Sequence, residues 1–444
     1  MKQSGFLRGL GVFDAIAICV GCIIGSGIFR VPSSIATEVP YAGLILLVWL
    51  GGGLISLTGA LCYAELAASH PRTGGDYIYV TEAYGRSIGF LFGWTRLFVE
   101  RTGTLAAIAI VFSEYALYFF GLPEPFLKGL AIVTIVVLTA VNLRGIHYGK
   151  NVQNFFTALK ILALILLVVV GLSAGKGDWQ HFTPMFPATF SFDTLRSVGL
   201  SLVFVLFTFG GWCESTYVAG EMKNPERDLP WSIISGVFIV LGLYVLVNVA
   251  YLYYLPPTIL QNSDRAAASM MEIIWGSWGG KMVACMVVIS TFGALNGNIL
   301  TGGRLLFAIA DEHPLFKHMA HIHPSFHTPW IALMFNAGIA ILMIITGTFE
   351  QILSFMTAVI WSMYLLSGSS LFVLRKKYPE LKRPYRVWGY PMTPIIFLVS
   401  TFLFAGNIFL KNPMHVVLGV SVALAGLPCF WLSEQIRKKQ HDAV

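Results

Sequence analysis

Uncharged or nearly uncharged runs of about 20 residues recur along the chain, separated by short stretches that gather its Pro, Lys, Arg and His. A run of that length crosses a bilayer core as an α-helix. The pattern predicts twelve spans, at Gly9–Thr37, Tyr41–Ala64, Ser87–Phe120, Phe126–Leu143, Asn151–Gly175, Ser197–Gly220, Leu229–Leu255, Met282–Gly303, Thr328–Phe349, Gln351–Leu374, Val387–Leu410 and Asn412–Ser433. Glycine inside a helix costs about 1 kcal/mol relative to alanine, and two clusters stand at corresponding places in the two halves of the chain: Gly25-Ser26-Gly27 in span 1 and Phe209-Gly210-Gly211-Trp212 in span 6. Five spans separate them, so the two interrupted helices cross in opposite senses, as in two five-helix units of inverted topology. The alternative reading of either cluster is tight helix packing. The sequence thus predicts an all-α integral membrane protein with one domain over residues 1–444. Residues 9–175 and 197–374 form the two repeats, spans 1 and 6 are unwound at the midplane, and residues 387–433 supply two extra helices.

Charge orients this arrangement. Lys and Arg mark cytoplasmic loops, and nineteen of them fall in the tails and even-numbered loops against six (Lys128, Lys176, Arg196, Arg265, Lys281 and Lys411) in the opposite set. Both termini are therefore expected on the cytoplasmic side of the cell (inner) membrane. The net charge of +7 then reports topology and gives no argument for a nucleic-acid partner. Composition agrees: 56% of the 444 residues are hydrophobic and 11% charged, which excludes a water-facing surface all round. The N-terminal apolar run continues into further spans, so it reads as a span rather than a cleaved leader. All six cysteines fall within spans, with no disulfide or metal spacing.

An unwound stretch in hydrocarbon exposes N–H and C=O groups that need partners. The outer half of span 1, starting near Gly27, aims its N–H groups at the membrane centre and suits a carboxylate. The inner half of span 1 ends near Ile23 and Ile24, and the outer half of span 6 near Phe207 to Gly210; the carbonyls left there suit an ammonium. Together they match the head of an α-amino acid, whose side chain is then read by other helices.

The ordered set Ile24-Gly25-Ser26-Gly27-Ile28-Phe29, Tyr63-Ala64-Glu65-Leu66, Pro71-Arg72-Thr73-Gly74-Gly75-Asp76-Tyr77, Gly89-Phe90-Leu91-Phe92-Gly93-Trp94, Phe207-Thr208-Phe209-Gly210-Gly211-Trp212, Gly220-Glu221-Met222-Lys223-Asn224-Pro225, and Asn296-Gly297 with Gly302-Gly303-Arg304 covers most of the chain. It resembles the amino acid-polyamine-organocation superfamily and, within it, the L-type amino acid transporter family. The resemblance implies alternating access and exchange of amino acids. It implies that backbone at Ser26, Gly27 and Ile28 holds the substrate carboxylate, that carbonyls of Ile23, Phe207 and Gly210 hold the amino group, and that Phe207 closes over the substrate. Lys160, ten residues into span 5, either snorkels to the cytoplasm or is functional. A lysine at the matching position resembles a substitute for the sodium ion of sodium-coupled relatives, which implies sodium-independent transport. Relatives with a heavy subunit use a cysteine between spans 3 and 4; here Gly121-Leu122-Pro123-Glu124-Pro125 has none, so no disulfide-linked partner is expected and a stand-alone bacterial-type carrier is.

Other charges depart from the family pattern. Arg30, Arg96, Glu100, Arg101 and Glu214 load spans 1, 3 and 6. Either Arg96 and Glu100 neutralise one another at i, i+4 while Arg101 meets Glu214, or Glu100, Arg101 or Glu214 borders the side-chain pocket and favours polar substrates. Asn296 needs a partner, substrate or neighbouring helix. Glu65 and Glu221 either staple an inner gate or lie solvated. His313, His318, His321, His323 and His327 crowd one loop, but Pro314, Pro324 and Pro329 interrupt the helix that regular metal-ligand spacing would need, and no metal or other cofactor is expected. No nucleophile with a base, phosphate loop or repeated filter argues for an enzyme or a channel. The function expected is sodium-independent exchange of neutral L-amino acids, the alternatives being a proton-coupled amino acid or polyamine symporter, or a non-transporting amino acid sensor.

Overall fold

The computed structural model describes residues 6–263, 265–347, 349–411 and 413–442; Lys2, one of the nineteen basic residues counted above, and Asn412, the start of the twelfth expected span, lie outside them. Regular structure among the described residues is helical, apart from one isolated bridge between Leu10 and Met222. The α-helices are α1 (Val12–Ile23), α2 (Gly27–Glu38), α3 (Ala42–Ser69), α4 (Asp76–Tyr84), α5 (Arg86–Thr95), α6 (Thr102–Phe120), α7 (Leu127–Leu143), α8 (Ile146–Ser173), α9 (Phe192–Thr208), α10 (Pro225–Tyr254), α11 (Pro257–Leu260), α12 (Ala266–Trp275), α13 (Ser277–Glu312), α14 (Trp330–Thr346), α15 (Phe349–Lys377), α16 (Met392–Lys411) and α17 (Pro413–Asp442). Seven described helical segments are long and apolar enough to cross a membrane, and the bent pair α1/α2 makes an eighth.

Ties between elements distant in sequence define the two faces. The Leu10 amide donates to the Glu221 carbonyl (3.0 Å) and the Lys223 amide to the Leu10 carbonyl (2.9 Å), so the start of α1 and the start of α10 share a face. Arg86 at the start of α5 reaches the Glu312 carbonyl at the end of α13 (2.8 Å) and Glu434 on α17 (3.2 Å). On the opposite face Lys128, beginning α7, donates to the Ile345 carbonyl ending α14 (3.0 Å). The first of these is called the N-terminal face below.

Two local departures from the α-helix matter. Span 3 runs from Arg86 to Phe120, but Arg96–Arg101 is wound as a π-helix. Such bulges add a residue to the turn and are frequent at functional sites; here the bulge buries Arg96, Glu100 and Arg101 together. Beyond α9, span 6 resumes as the 3₁₀ segment Glu214–Glu221, all but Gly220 buried, in place of a second α-helical half. The core between α3, α9 and α10 is aromatic: Tyr244 packs edge-on against Trp49 (5.5 Å) and Phe209 (5.1 Å).

Candidate functional site

Helix α1 ends at Ile23, Ile24 is extended (φ −75°, ψ 95°), and α2 departs at 43° from Gly27. Helix α9 ends at Thr208 and the chain turns through Phe209 to Cys213. The two interruptions touch. Gly211 has φ +104°, and a Cβ there would lie 3.0 Å from the Cys22 carbonyl; a Cβ on Gly27 would lie 2.6 Å from Thr208 Cγ2. Any side chain at either position pushes the interruptions apart.

Between them lies a cavity of about 180 Å³, far above the roughly 10–15 Å³ that one ordered water needs. Ile23, Ser26, Gly27, Phe207, Gly210, Glu100 and Glu214 line it. Ile28, Lys160, Arg101 and Asn296 do not. Ile28 is fully buried and its carbonyl accepts from the Tyr251 hydroxyl at 3.4 Å. Asn296 is spent on the scaffold: its amide donates to the Gly149 carbonyl and to Gln153 (both 3.0 Å), and its oxygen accepts from Asn142 at 2.9 Å. Two residues along α13, about 200° round the helix, Asn298 faces the cavity instead. Thr104, Met356, Trp361 and Tyr364 also line it, from α6 and α15. Thr104 sits one turn past Glu100, a polar spacing that marked that face; nothing in the apolar pattern of α15 marked the others.

The backbone at the first interruption is unevenly satisfied. No side chain caps the start of α2; in its first turn the Phe29 amide donates to the Ser26 carbonyl (3.1 Å), and the Ser26–Gly27 end lies at the cavity wall, where the N–H groups lack the acceptors of a continuous helix. The carbonyls that end α1 are more heavily engaged than their position alone predicts. Lys160 Nζ, 1% exposed, donates to the carbonyls of Gly21 (2.8 Å), Ile24 (2.8 Å) and Ser290 (2.7 Å). Ser290 Oγ reaches Ile24 (3.0 Å) and Gly25 (3.2 Å), and the Tyr244 hydroxyl donates to the Ile23 carbonyl (3.2 Å). At the second interruption the Phe207 carbonyl accepts from the Gly210 amide at 3.0 Å. A carbonyl oxygen has two lone pairs, so Ile23, with one donor, retains one for a ligand, while Phe207 is also approached by the Phe209 amide.

Five buried charges run in a line from the N-terminal side to the cavity wall. Asp76 meets Arg96 (3.2 Å), Arg96 meets Glu100 (3.6 Å), Glu100 meets Arg101 (3.3 Å), and Arg101 pairs with Glu214. Both intrahelical neutralisation and the approach of Arg101 to Glu214 are therefore present, while Glu100 and Glu214 also face the cavity. The ladder is anchored by hydroxyls: Tyr63 and Tyr217 donate to Asp76, and Thr301 to Glu214. Arg101 lies over the Tyr217 ring at 4.2 Å.

On the N-terminal face three carboxylates are held in ion pairs. Arg304 grips Glu221 with two hydrogen bonds (3.1 and 3.0 Å), both side chains at most 1% exposed. Glu65, also buried, accepts from Arg375 (2.8 Å) and from the Val387 amide (2.7 Å). Asp14 joins Lys150 at 3.1 Å. Phe207, in contrast, is 36% exposed. Arg30 is exposed on α2, away from the ladder. Among the described residues no group of three or more His, Cys, Asp or Glu is disposed to hold a metal ion.

Sequence comparison gives the family. A profile described as "Amino acid permease" matches residues 10–431. The serine/threonine exchanger SteT of Bacillus subtilis (strain 168) is 32% identical over 433 residues, covering 97% of this chain and 98% of that protein. The human b(0,+)-type amino acid transporter 1 is 33% identical over 97% of this chain and 89% of its own length. The human large neutral amino acids transporter small subunit 2 is 34% identical over 95% of this chain and 80% of its own. With helices long enough to cross a membrane several times, and matches running nearly end to end, the chain belongs to the amino acid permease family of the amino acid-polyamine-organocation superfamily, whose members are membrane transporters and not enzymes.

Proposed function

We propose that the chain is a sodium-independent exchanger of neutral L-amino acids, working by alternating access across the cell (inner) membrane with both termini cytoplasmic. The reading takes twelve spans as two inverted five-helix repeats followed by two helices, in one domain. The observation that carries it is the meeting of two helix interruptions at one cavity, with the start of α2, uncapped by any side chain, on one side and the carbonyl ends of α1 and α9, at Ile23 and Phe207, on the other. A zwitterion satisfies both ends at once, the carboxylate at Ser26, Gly27 and Ile28 and the ammonium at Ile23, Phe207 and Gly210.

Lys160 supports the sodium-free part of this reading. Its ammonium already occupies the position between the end of α1 and α13 where a bound cation would bridge carbonyls. With Phe207 partly exposed and the Glu221–Arg304 pair closed, the cavity is open away from the N-terminal face, so the state is outward-facing. Phe207 is the gate that folds over bound substrate. The chain acts without a disulfide-linked heavy subunit, since its predicted loop between spans 3 and 4 has no cysteine.

The test is counterflow in proteoliposomes. Unlabelled amino acid inside is expected to accelerate uptake of labelled amino acid in sodium-free buffer, and competition by all twenty amino acids then names the substrates. A strict sodium requirement refutes the lysine argument; binding without uptake makes the protein a sensor; uptake without saturation makes it a channel.

A further inference from the structure

The connections between helices on the N-terminal face are unequal. Four of them carry two Lys or Arg each: Arg72 and Arg86, Arg144 and Lys150, Lys223 and Arg227, Arg304 and Lys317. The fifth, from the end of α15 to the start of α16, is basic at six of the twelve residues from Arg375 to Arg386, against one acid, Glu380. Two charges per connection mark the side of the membrane elsewhere on this face; the surplus belongs to this corner.

The fold draws the corner together around one buried carboxylate. Glu65 accepts from Arg375 (2.8 Å) and from the Val387 amide (2.7 Å), with Arg383 at 3.6 Å. Lys382 meets Glu226 at 3.3 Å. Lys377 donates to the Glu82 carbonyl at 2.9 Å, while the Glu82 carboxylate holds Arg72 at 3.1 Å. Lys376, next to Arg375, and Arg386, next to Val387, therefore flank the same carboxylate. Both are exposed, and neither enters an ion pair among the described residues. With Glu65, Glu226 and Glu380 set against the six basic residues, the corner keeps three positive charges.

Aromatic and apolar surface continues from these charges. Arg375 lies 3.7 Å over the Tyr390 ring, which packs on Phe372 at 5.6 Å. Tyr390 and Trp388 are 40% and 65% exposed, and such rings settle at the membrane–water boundary. From there α16 presents Met392, Ile395, Ile396, Val399 and Leu403, all exposed, at the i, i+3, i+4, i+7 and i+11 positions of one helix face. We infer that an anionic phospholipid docks at the α15–α16 corner, its phosphate between Lys376 and Arg386 and an acyl chain along the exposed stripe of α16. A polybasic segment directly after a span gains about fivefold in affinity for an anionic leaflet per Lys or Arg. Arg375 and Arg383 stay on Glu65, so the headgroup is held by the two basic residues that no carboxylate occupies. The docking does not depend on what the cavity carries.

The full-length protein, equilibrated in mixed micelles holding equal amounts of phosphatidylglycerol and phosphatidylcholine with the same acyl chains and then reisolated, tests this when its retained lipid is counted by mass spectrometry. The wild type is expected to retain phosphatidylglycerol in preference. Lys376→Gln with Arg386→Gln should lower that preference by about twentyfold, whereas Lys438→Gln with Lys439→Gln, which removes two exposed charges from the end of α17, should leave it within about twofold. Equal retention of the two lipids by the wild type, an unchanged preference in the first variant, or an equal loss in the second overturns the assignment and leaves the six charges as markers of topology. A preference erased by inorganic phosphate, but not by chloride at the same ionic strength, makes the corner a site for free phosphate, and the lipid assignment falls. Should the first variant fail to fold, the wild type decides: its retention of phosphatidylglycerol is expected to fall as salt rises from about 0.05 M to about 0.5 M, and retention indifferent to salt refutes the proposal.

Discussion

The N-terminal face carries paired charges, which the proposed outward-open state makes the seal on that side: Glu221 with Arg304, Glu65 with Arg375 and Asp14 with Lys150, the first two carboxylates almost wholly buried. On the opposite side the residue at the mouth is Phe207, an uncharged ring left 36% exposed. The contrast is one of reversibility. Buried ion pairs gain little net energy over an apolar alternative, because desolvation offsets attraction, but they are costly to break by halves. Water entering from the N-terminal side resolvates both partners together, so such a seal opens as a unit. An apolar ring instead closes by shedding water one contact at a time, with modest energy and no stranded charge. The two seals therefore suit different events, a switch of access on one face and capture of substrate on the other.

The contrast is broken most severely by removing one partner of a seal. Glu221→Gln strands the Arg304 guanidinium and is expected to cost about 3–5 kcal/mol. The protein should then favour the state open to the N-terminal face. Cys22 lines the cavity, so labelling of Cys22 by an impermeant maleimide, read by mass spectrometry, should rise from that face and fall from the other. The charge swap Glu221→Arg with Arg304→Glu should restore much of the wild-type pattern. Unchanged labelling would mean that the pair does not seal the cavity.

Lys160 stands between the two seals and holds the interrupted helix to α8 and α13. Lys160→Met removes the donor to the Gly21 carbonyl, one of the last four of α1, while Ser290 Oγ still serves Ile24 and the Ser290 carbonyl keeps its bond inside α13. A buried acceptor left unpaired costs about 1–3 kcal/mol. A loss in counterflow rate of about five- to hundredfold is the expected result. A loss below threefold would remove Lys160 from the working parts.

A titratable group sharpens the picture of the N-terminal face. His313, just past α13, is fully buried against Phe90 (4.7 Å), and neither ring nitrogen has a hydrogen-bond partner. Burial, reinforced by nearby Arg86, pushes its pKa from 6.5 down to about 4. A lowered pKa means that the unfolded chain takes up the proton first, so the contribution is complete above pH 6.5 and is lost as pH falls toward 4. At pH 5 the loss is about 2 kcal/mol. Thermal melts of the wild type at pH 5 against pH 7.5 should show it, and His313→Leu should remove most of the difference.

How far these features could be read from residues alone varies with the physics of each. Helix class follows from apolar runs, and the first interruption is expected from glycine in the middle of one, a signal that decides nothing alone, since Gly51-Gly52-Gly53 lies inside the unbroken α3. Lys160 stood out because charge is scarce in such runs. The π-helical turn at Arg96–Arg101 was not visible: no residue type demands it, and the side chains it buries meet Asp76 and Glu214 on other elements. The 3₁₀ form of Glu214–Glu221 is of the same kind. Asn296 and Asn298 show the limit most plainly, two buried amides on one helix, of which packing alone decides that the second meets the cavity.

The smallest effect belongs to the apolar seal, and its size follows from the same comparison. Full burial of a Phe side chain is worth about 1.5–3 kcal/mol. Phe207 already has about two thirds of its surface covered with the mouth open, so closure has only the remaining third to gain. That is about 0.5–1 kcal/mol, or a two- to fivefold change in apparent affinity. Phe207→Ala is expected to raise KM for counterflow by that factor and to leave Cys22 labelling from the N-terminal face unchanged, because the charged seal is untouched. Phe207→Leu should fall between the two. A hundredfold rise in KM for Phe207→Ala would instead mean that the ring contacts substrate throughout the cycle, and the mouth could no longer be described as closing by burial of this ring.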